Sequence, residues 1–430
     1  MFLFSSLHQR IYHYLSAEDV NLIAKAYLLA ADAHEAQYRT SGECYIHHPV
    51  AVAGILAEMY MDRDTICAAL MHDVLEDTNV EASEIESIFG EKVLSLVEGV
   101  TKLTKIDYKD KAEEQAENFR KMILAMVEDV RVIIIKLADR LHNMQTADVW
   151  RPDKRRRKGI ETLDIYAPLA NRLGMNFLKN QLQDLGFKAC YPMRYKVIEA
   201  CAKKALGHRK KLFRTIEISI AEALKDAKIE FDTINSRQKR LYSIFRKMRN
   251  KGVPFSEVMD MFGVRIVVQD NNQCYQVIGV VHSLYKPVPG RFKDYIAIAK
   301  SNGYQSLHST LFGPHGVPIE VQVRTTGMDS MAEHGIAAHW LYKSGGYASS
   351  DEIHTRKWMQ GLLEMQMRSG SSAEFIENVK VDLFPHDVFV FTPKGKIMEL
   401  PRGATPVDFA YAVHTQVGHH AHSAKVNRRL

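Results

Sequence analysis

The sequence predicts a soluble protein of several domains: an all-α part first, an α+β part with a mixed sheet next, and the start of a small module of hairpin and helix last. Three observations predict it. Apolar residues recur at spacings of three and four through the first 190 or so residues, where Gly and Pro are sparse. Strand-like alternation enters beyond them, with Gly and Pro clustered at KPVPGRF and FGPHGVP. The length of 430 residues is several times what one hydrophobic core serves, so two to four domains are expected at roughly 150 residues each.

Hydrophobic residues at 46% and charged residues at 25% exclude disorder, collagen-like repeats and a coiled-coil rod. No run of about 18 uncharged apolar residues occurs, and the opening MFLFSSLHQRIYHYL lacks a basic start and a small-residue cleavage site. A cytoplasmic protein without membrane contact is therefore expected. Cys44, Cys67, Cys190, Cys201 and Cys274 are odd in number and scattered, which suits a reducing compartment. A disulfide framework and a thiolate zinc site are excluded, leaving imidazole and carboxylate to hold any metal. The net charge is a mild +6, yet Arg194 to Lys251 alone carries seventeen Lys and Arg against six Asp and Glu. Such a block suits phosphate-rich ligands, and a solvated helix surface is the equally weighted alternative.

In chain order, VNLIAKAYLLAADAH, YIHHPVAVAGILAEMY, TICAALMHDVLED and ENFRKMILAMVEDV read as helices. VRVIIIKLADRLHNM begins with a β-branched run, but its continuation has helical spacing and good helix formers, so it too reads as helix. Arg194 to Leu212 reads as a connection. GVRIVVQ, CYQVIGVVHSLY and PIEVQVRT read as strands, alternating with helical RLYSIFRKMRN and SMAEHGIAAHWLY. DVFVFTPKGKIMELPRGATP reads as a hairpin turning at Pro393 to Gly395, followed by helical VDFAYAVHT.

The sharpest cluster is His72-Asp73-Val74-Leu75-Glu76-Asp77-Thr78. On a helix His72 and Glu76 share a side, as do Asp73 and Asp77, with Val74 and Leu75 turned away. Three acids within five residues repel one another, and a metal or a group of cations is the physical complement. Asp139, Asn143 and Thr146 share a helical face in ADRLHNMQT, and Tyr45-Ile46-His47-His48-Pro49 offers another imidazole, with His47 and His48 not separable by chemistry. A His-Asp pair with one outside His and one outside Asp makes a two-nitrogen, two-oxygen site. Manganese suits it, zinc and iron also being compatible. Glu76 and Asp77 then remain for acid–base work on an attacking water.

A second cluster lies in the basic middle. Arg237, Lys239, Arg240, Arg246 and Lys247 surround LYSIF, a group of cations suited to a triphosphate. In PIEVQVRT the period of two puts Ile319, Val321 and Val323 on one face and Glu320, Gln322 and Arg324 on the other. Asp260 precedes GVRIVV and brings a second carboxylate toward Glu320, a pair able to hold Mg2+ across phosphates. The loop from Lys300 to His308 sets Tyr304 beside Gly303, where its ring can stack on a purine. No Gly-x-x-x-x-Gly-Lys-Ser/Thr loop occurs, so nucleotide kinase chemistry needs another architecture.

These motifs resemble the RelA/SpoT homologue family of alarmone enzymes, closest to its SpoT branch, over essentially the whole chain. HDVLEDT with ADRLHNM resembles its HD-type hydrolase domain. The resemblance implies Mn2+-supported removal of the 3′-pyrophosphate from ppGpp or pppGpp, with His48, His72, Asp73 and Asp139 as metal ligands. Glu76 and Asp77 then activate or orient water, and Arg39, Ser41, Asn143 and Thr146 contact nucleotide; Thr40 stands where a Lys is often found. SRQKRLYSIFRKM, GRFKDYIAIAKSNGYQSLHST, GPHGVPIEVQVRT and MAEHGIAAHW resemble the nucleotidyltransferase-like synthetase domain, which moves pyrophosphate from ATP to GDP or GTP. By that match Arg237, Lys239 and Lys247 bind ATP phosphates, Asp260 and Glu320 hold Mg2+, and Tyr304 stacks on guanine, with Lys300, Asn302 and His308 also binding substrate. Arg291, Lys293 and Asp294 form the pattern of bifunctional members. Ser236, Arg240, Phe245 and Ala299 depart from the usual Gly, His, Tyr and Pro, and weak synthesis is implied. The piece after Phe384, with His414 and Thr415, resembles the start of a β-grasp TGS domain, a sensor of protein, tRNA or ribosome partners. The expected bounds are 1–195 for the hydrolase domain, 196–375 for the synthetase-like domain and 384–430 for the partial TGS domain. The alternatives are a hydrolase with a degenerate regulatory synthetase domain, a general HD nucleotide phosphohydrolase, and an RNA-binding regulator.

Overall fold

A computed structural model of the chain describes residues 2–101, 111–258, 262–300, 302–337, 350–369, 371, 374–375, 378–379, 387–392, 397–401 and 403–426. The chain divides into two compact units, Met1–Ile376 and Glu377–Leu430.

The first unit opens with helices α1 (Phe2–Ile11), α2 (Ala17–Ala33), α3 (His47–Glu58), α4 (Arg63–Leu70), α5 (Val74–Asp77), α6 (Ala82–Phe89), α7 (Glu91–Thr101), α8 (Lys111–Glu128) and α9 (Val130–Gln145). Helix α3 is apolar on nearly every side and correspondingly buried from His48 to Ala57, apart from half-buried Ala51. Asp62 caps α4 and Asp129 caps α9, each accepting a backbone N–H of its first turn. Arg131 clamps both caps, at 2.8 Å from Asp62 and 2.7 Å from Asp129. The clamp starts the two helices at one level. Helix α4 then runs to Leu70, two residues before His72, and α9 carries Asp139 on its inner face.

The expected helix through TICAALMHDVLED is broken. It ends at Leu70, Met71 to Asp73 form a turn, and α5 restarts at Val74 with Asp73 at its N-cap. The break has a physical use. Adjacent residues on a helix point about 100° apart, so an unbroken helix would part His72 from Asp73, whereas the turn aims both at one place.

After α10 (Pro152–Glu161) and a π-turn at Thr162–Tyr166 come α11 (Ala167–Arg172), α12 (Asn176–Cys190) and α13 (Pro192–Asp226). The connection expected at Arg194 to Leu212 is therefore helical. Ile198, Ala202, Phe213, Ile216, Ile220 and Leu224 form the buried stripe of α13, and Lys196, Lys203, Lys204, Lys211, Arg214 and Lys225 lie exposed. Much of the basic block is thus the solvated helix surface given as the alternative.

The mixed sheet follows: β1 (Thr233–Gln238), α14 (Leu241–Lys251), β2 (Phe262–Val268), α15 (Asn271–Leu284), β3 (Lys293–Asp294), β4 (Leu307–Phe312), β5 (Pro318–Thr325) and α16 (Thr326–His334). The strand order is β1-β2-β5-β4-β3, with β2 and β5 parallel and the other pairs antiparallel. Ile319, Val321 and Val323 join residues of α13, α14 and α15 in one core, as their alternation predicts. CYQVIGVVHSLY is not a strand. It lies in α15, started by a capping box between Asp270 and Gln273, and buries Cys274, Val277, Ile278 and Val281 at helical spacing. The helix expected over SMAEHGIAAHWLY stops at His334, where Gly335 takes φ +58°; its end beyond Ala337 lies outside the described residues. Helix α17 (Ser350–Arg368) also belongs to this unit.

The second unit holds β6 (Asp387–Phe391) and β7 (Ile397–Pro401), an antiparallel hairpin whose turn at Pro393 to Gly395 lies outside the described residues. Helix α18 (Pro406–Val413) has a Thr405–Asp408 capping box, and α19 (Thr415–His419) is capped by His414. Among the described residues no helix is long and apolar enough to cross a membrane.

Candidate metal centre and nucleotide pocket

His48 from α3, His72 from the turn after α4 and Asp139 from α9 each offer a ligand atom, all within 4.8 Å of one another and all buried. Asp73 lies beside this group rather than within it, with Oδ2 3.1 Å from His72 Nε2 and 3.9 Å from His48 Nε2. His48 Nε2 lies 3.1 Å from Asp139 Oδ1. Position separates what chemistry left open: His48 is 2% exposed and inside the cluster, while His47 is half-buried outside it.

The donor set fits a divalent cation. His72 Nδ1 donates to the Ala69 carbonyl at 2.8 Å, which turns Nε2 into the cluster as the atom that would ligate a cation in place of its proton. That buried atom has no hydrogen-bond partner, although it faces a carboxylate. His48 Nδ1 lies 2.7 Å from His142 Nδ1, a spacing that requires one shared proton. With that proton on His48 Nδ1, its Nε2 is also free to ligate. Tyr45 donates to Asp73 at 2.6 Å and to Asp77 at 3.1 Å. Asn143 donates to Asp139, and Lys136 Nζ lies 3.4 Å from it.

Burial opposes charge on Asp73, but His72 and His48 hold its carboxyl well below the usual range; for Asp139 the opposing influences are the Lys136 ammonium and then the hydrogen bond to His48. Burial alone would depress His72, yet Asp73 and Asp139 raise it to about 9, so a proton stands where a cation is called for. Burial, then His48 and Arg39, pull His142 down to about 3, keeping it neutral and able to accept. Burial and Asp73 keep the Tyr45 hydroxyl protonated.

The nucleotide-facing expectations divide. Arg39 donates to Asn143 at 2.6 Å and lies 3.3 Å from His142 Nδ1, joined directly to the cluster. Ser41 is exposed and donates to Glu43, and the Thr146 hydroxyl donates to the His142 carbonyl, so both stand at the edge. Glu76 and Asp77 lie on α5, with Asp77 tied to Asp73 through Tyr45. Sequence reasoning missed Tyr45, His142 and Lys136 in these roles. Their signal was present: each lies three residues from a ligand on the same helix or its entry, within YIHH, DRLH and KLAD.

On the sheet, Arg237 of β1 pairs with Gly263 of β2, and Gly263 with Glu320 of β5, which puts Arg237 and Glu320 on one face. A neighbouring row on that face runs Arg265, Gln322, His308 and Lys293. Arg237 lies in an edge strand, β1, ahead of the helix that carries LYSIF. His308 Nδ1 lies 3.1 Å from Glu320 and its Nε2 2.7 Å from the Tyr304 hydroxyl, while Lys300 Nζ sits 4.6 Å from the Tyr304 ring centroid. Burial opposes the charge on Glu320, but His308 and Lys239 pull its carboxyl down to about 2. Asn302 donates to the Asn171 carbonyl at 3.0 Å. Lys239 and Lys247 are half-buried, and Asp260 lies outside the described residues. Arg324 shares the strand face of Glu320 and Gln322 that the period of two predicts, whereas Arg265 was not expected here; Asp329 and Glu333 of α16 pair with both.

Two departures find local reasons, at Phe245 and Arg240, and at Ser236 the bond to Glu217 is made by the backbone whatever the side chain. Phe245 stacks on Phe187 at 4.5 Å in a buried aromatic group, where a hydroxyl is not required. Arg240 faces Asp184 of α12 at 3.8 Å, and the Ser236 N–H donates to Glu217.

Comparison with known proteins finds three family models in order: an HD domain over residues 26–176, a region found in RelA/SpoT proteins over 236–347, and a TGS domain over 388–430. The chain is 56% identical over all 430 residues to the bifunctional (p)ppGpp synthase/hydrolase SpoT of Escherichia coli K12, of which it covers 61%. It is 53% identical over 430 residues to the guanosine-3′,5′-bis(diphosphate) 3′-pyrophosphohydrolase of Vibrio cholerae, also covering 61%. The chain thus spans about three-fifths of the length of these curated relatives. The crystal structure of the small alarmone synthetase 1 from Bacillus subtilis matches with a TM-score of 0.29 and 20% identity, over 41% of this chain and 97% of that one.

Proposed function

Because the chain belongs to the RelA/SpoT family, we propose that it hydrolyses ppGpp and pppGpp to GDP and GTP with release of pyrophosphate, using Mn2+, in a bifunctional enzyme with weak ATP:GDP/GTP pyrophosphotransferase activity. The observation that carries the reading is the gathering of His48, His72, Asp73 and Asp139 from three separate stretches around an unpartnered imidazole nitrogen. These four residues hold the ion, and two nitrogens with two carboxylates suit manganese. Bound Mn2+ supplies positive charge beside the 3′-diphosphate and lowers the pKa of water.

The chain's own groups do the rest. Glu76 and Asp77 activate or orient the attacking water, and Tyr45 keeps Asp77 in register with Asp73. Arg39 and Asn143, bonded to each other, face the nucleotide, with Ser41 and Thr146 at the rim. In the second site Arg237, Lys239 and Lys247 take ATP phosphates, and Glu320 with Asp260 holds Mg2+. Tyr304 stacks on guanine, oriented through His308 and backed by Lys300, and Asn302 ties the loop down. The domain bounds read as 1–195, 196–375 and 384–430. The TGS portion, with His414 and Thr415, is the contact for protein, tRNA or ribosome partners. The unpaired thiols suit a cytoplasmic setting.

The test compares pyrophosphate release from ppGpp, GDP and a deoxynucleoside triphosphate. Release from ppGpp alone is expected, and the Glu320→Gln variant keeps it while losing any synthesis from ATP and GDP. Equal turnover of the deoxynucleotide, or hydrolysis lost with Glu320→Gln, contradicts the reading.

A further inference from the structure

We propose that Lys179, on α12 of the helical half, is a phosphate-contacting residue of the second nucleotide pocket, reaching the 5′-phosphates of the guanine nucleotide seated against Tyr304. The proposal rests on the reading of that pocket given above. Lys179 falls between the segments matched as HD domain, 26–176, and as RelA/SpoT region, 236–347.

The turn between α11 and α12 fits against the sheet half of the same unit. Asn176 donates to the Ala332 carbonyl of α16, the Ile336 N–H donates to Leu173 at 3.1 Å, and Asn302 donates to the Asn171 carbonyl at 3.0 Å. Lys179 is half-buried at this junction. Its ammonium donates to the side-chain oxygens of Asn171, at 3.3 Å, and Asn176. Asn171 therefore receives Lys179 on its side chain and the Tyr304 loop on its backbone, which ties the ammonium to the loop that holds the base. Two amide oxygens occupy two of its three donor positions, leaving one for a ligand oxygen.

Charge points the same way. Arg265 and Arg324 are neutralised by Asp329 and Glu333. Among the described residues no carboxylate pairs within 4.0 Å of Lys179, Arg237 or Lys300. Burial, and then Lys300 and Arg237, pull Lys179 down to about 8, with Glu333 opposing. Clustered cations without carboxylate partners raise one another's energy until an anion arrives, and a nucleotide diphosphate supplies the missing charge.

The experiment is calorimetric titration of the full chain with GDP and, separately, with guanosine, at saturating α,β-methylene-ATP and Mg2+. Lys179→Gln is expected to weaken GDP about tenfold, the usual worth of a charged hydrogen bond, and to leave guanosine unchanged. Lys179→Arg restores GDP affinity to within about threefold of wild type by keeping the charge. A lysine that merely braces Asn171 and Asn176 would make Lys179→Gln weaken both ligands alike, or neither, and either result overturns the proposal while GDP binding by wild type upholds the pocket. Wild type that binds neither ligand overturns the pocket reading and the proposal together.

Discussion

Asp73→Asn abolishes Mn2+-supported release of pyrophosphate from ppGpp and leaves the fold intact. The substitution keeps the shape of the side chain and removes one of the two negative charges that face the His48 and His72 nitrogens. Residues that only support a metal ligand typically contribute 10–100-fold to metal affinity, so loss of a direct ligand is expected to exceed about 100-fold. His72 and His48 stabilise the Asp73 carboxylate by more than Asp139 repels it, so the metal-free variant is expected to melt somewhat lower while still folding. Mn2+ titration, pyrophosphate release and thermal melting on the same preparation check the prediction. A variant that binds Mn2+ and turns over like wild type contradicts it.

Gly335→Ala destabilises the chain by about 3 kcal/mol or more, a sum of backbone strain and steric overlap. Gly335 has φ +58° and ψ −134°, a conformation open to glycine and strained for any L side chain. An added Cβ would meet backbone on the opposite side, Met175 N at 2.6 Å and still more closely Leu173 O and Gly174 C. Gly174 itself has φ +74° and abuts the Gly335 Cα, so neither strand of the crossing can retreat. Gly252→Ala is the comparison. Its φ of +64° is also left-handed but nothing lies within 4 Å of the added atom, so only the conformational cost of about 1 kcal/mol applies. Denaturant midpoints of the two variants should differ accordingly. Displacing the end of α16 also disturbs Asp329 and Glu333, which hold Arg265 and Arg324, so synthesis falls with stability. Equal midpoints for Gly335→Ala and wild type would show that the crossing is not tight.

The grouping of His48, His72 and Asp139 was largely legible in the sequence because its signal is chemical. A His-Asp pair, two further acids and an outside Asp on a helical face imply a cation whatever the local backbone does. The break at Met71 to Asp73 was not legible, because TICAALMHDVLED has unbroken helical periodicity and the turn is stabilised by His72 bonding back to Ala69. Periodicity misled at CYQVIGVVHSLY, where Val, Ile and Tyr favour strand and the overriding signal was Asp270 three residues before Gln273. Strand β1, TINSRQ, is a polar edge strand and exists through pairing with β2, a partner distant in sequence. The Lys179 junction depends on contacts more than a hundred residues apart, such as Asn171 with Asn302, which local pattern does not encode.

The most direct test strips the chain of metal and follows pyrophosphate release from ppGpp as Mn2+ is returned. No release is predicted under chelation, with recovery that saturates as one ion per chain occupies the His48, His72, Asp73 and Asp139 cluster, and no recovery in Asp73→Asn. Full turnover in rigorously chelated buffer would contradict the account.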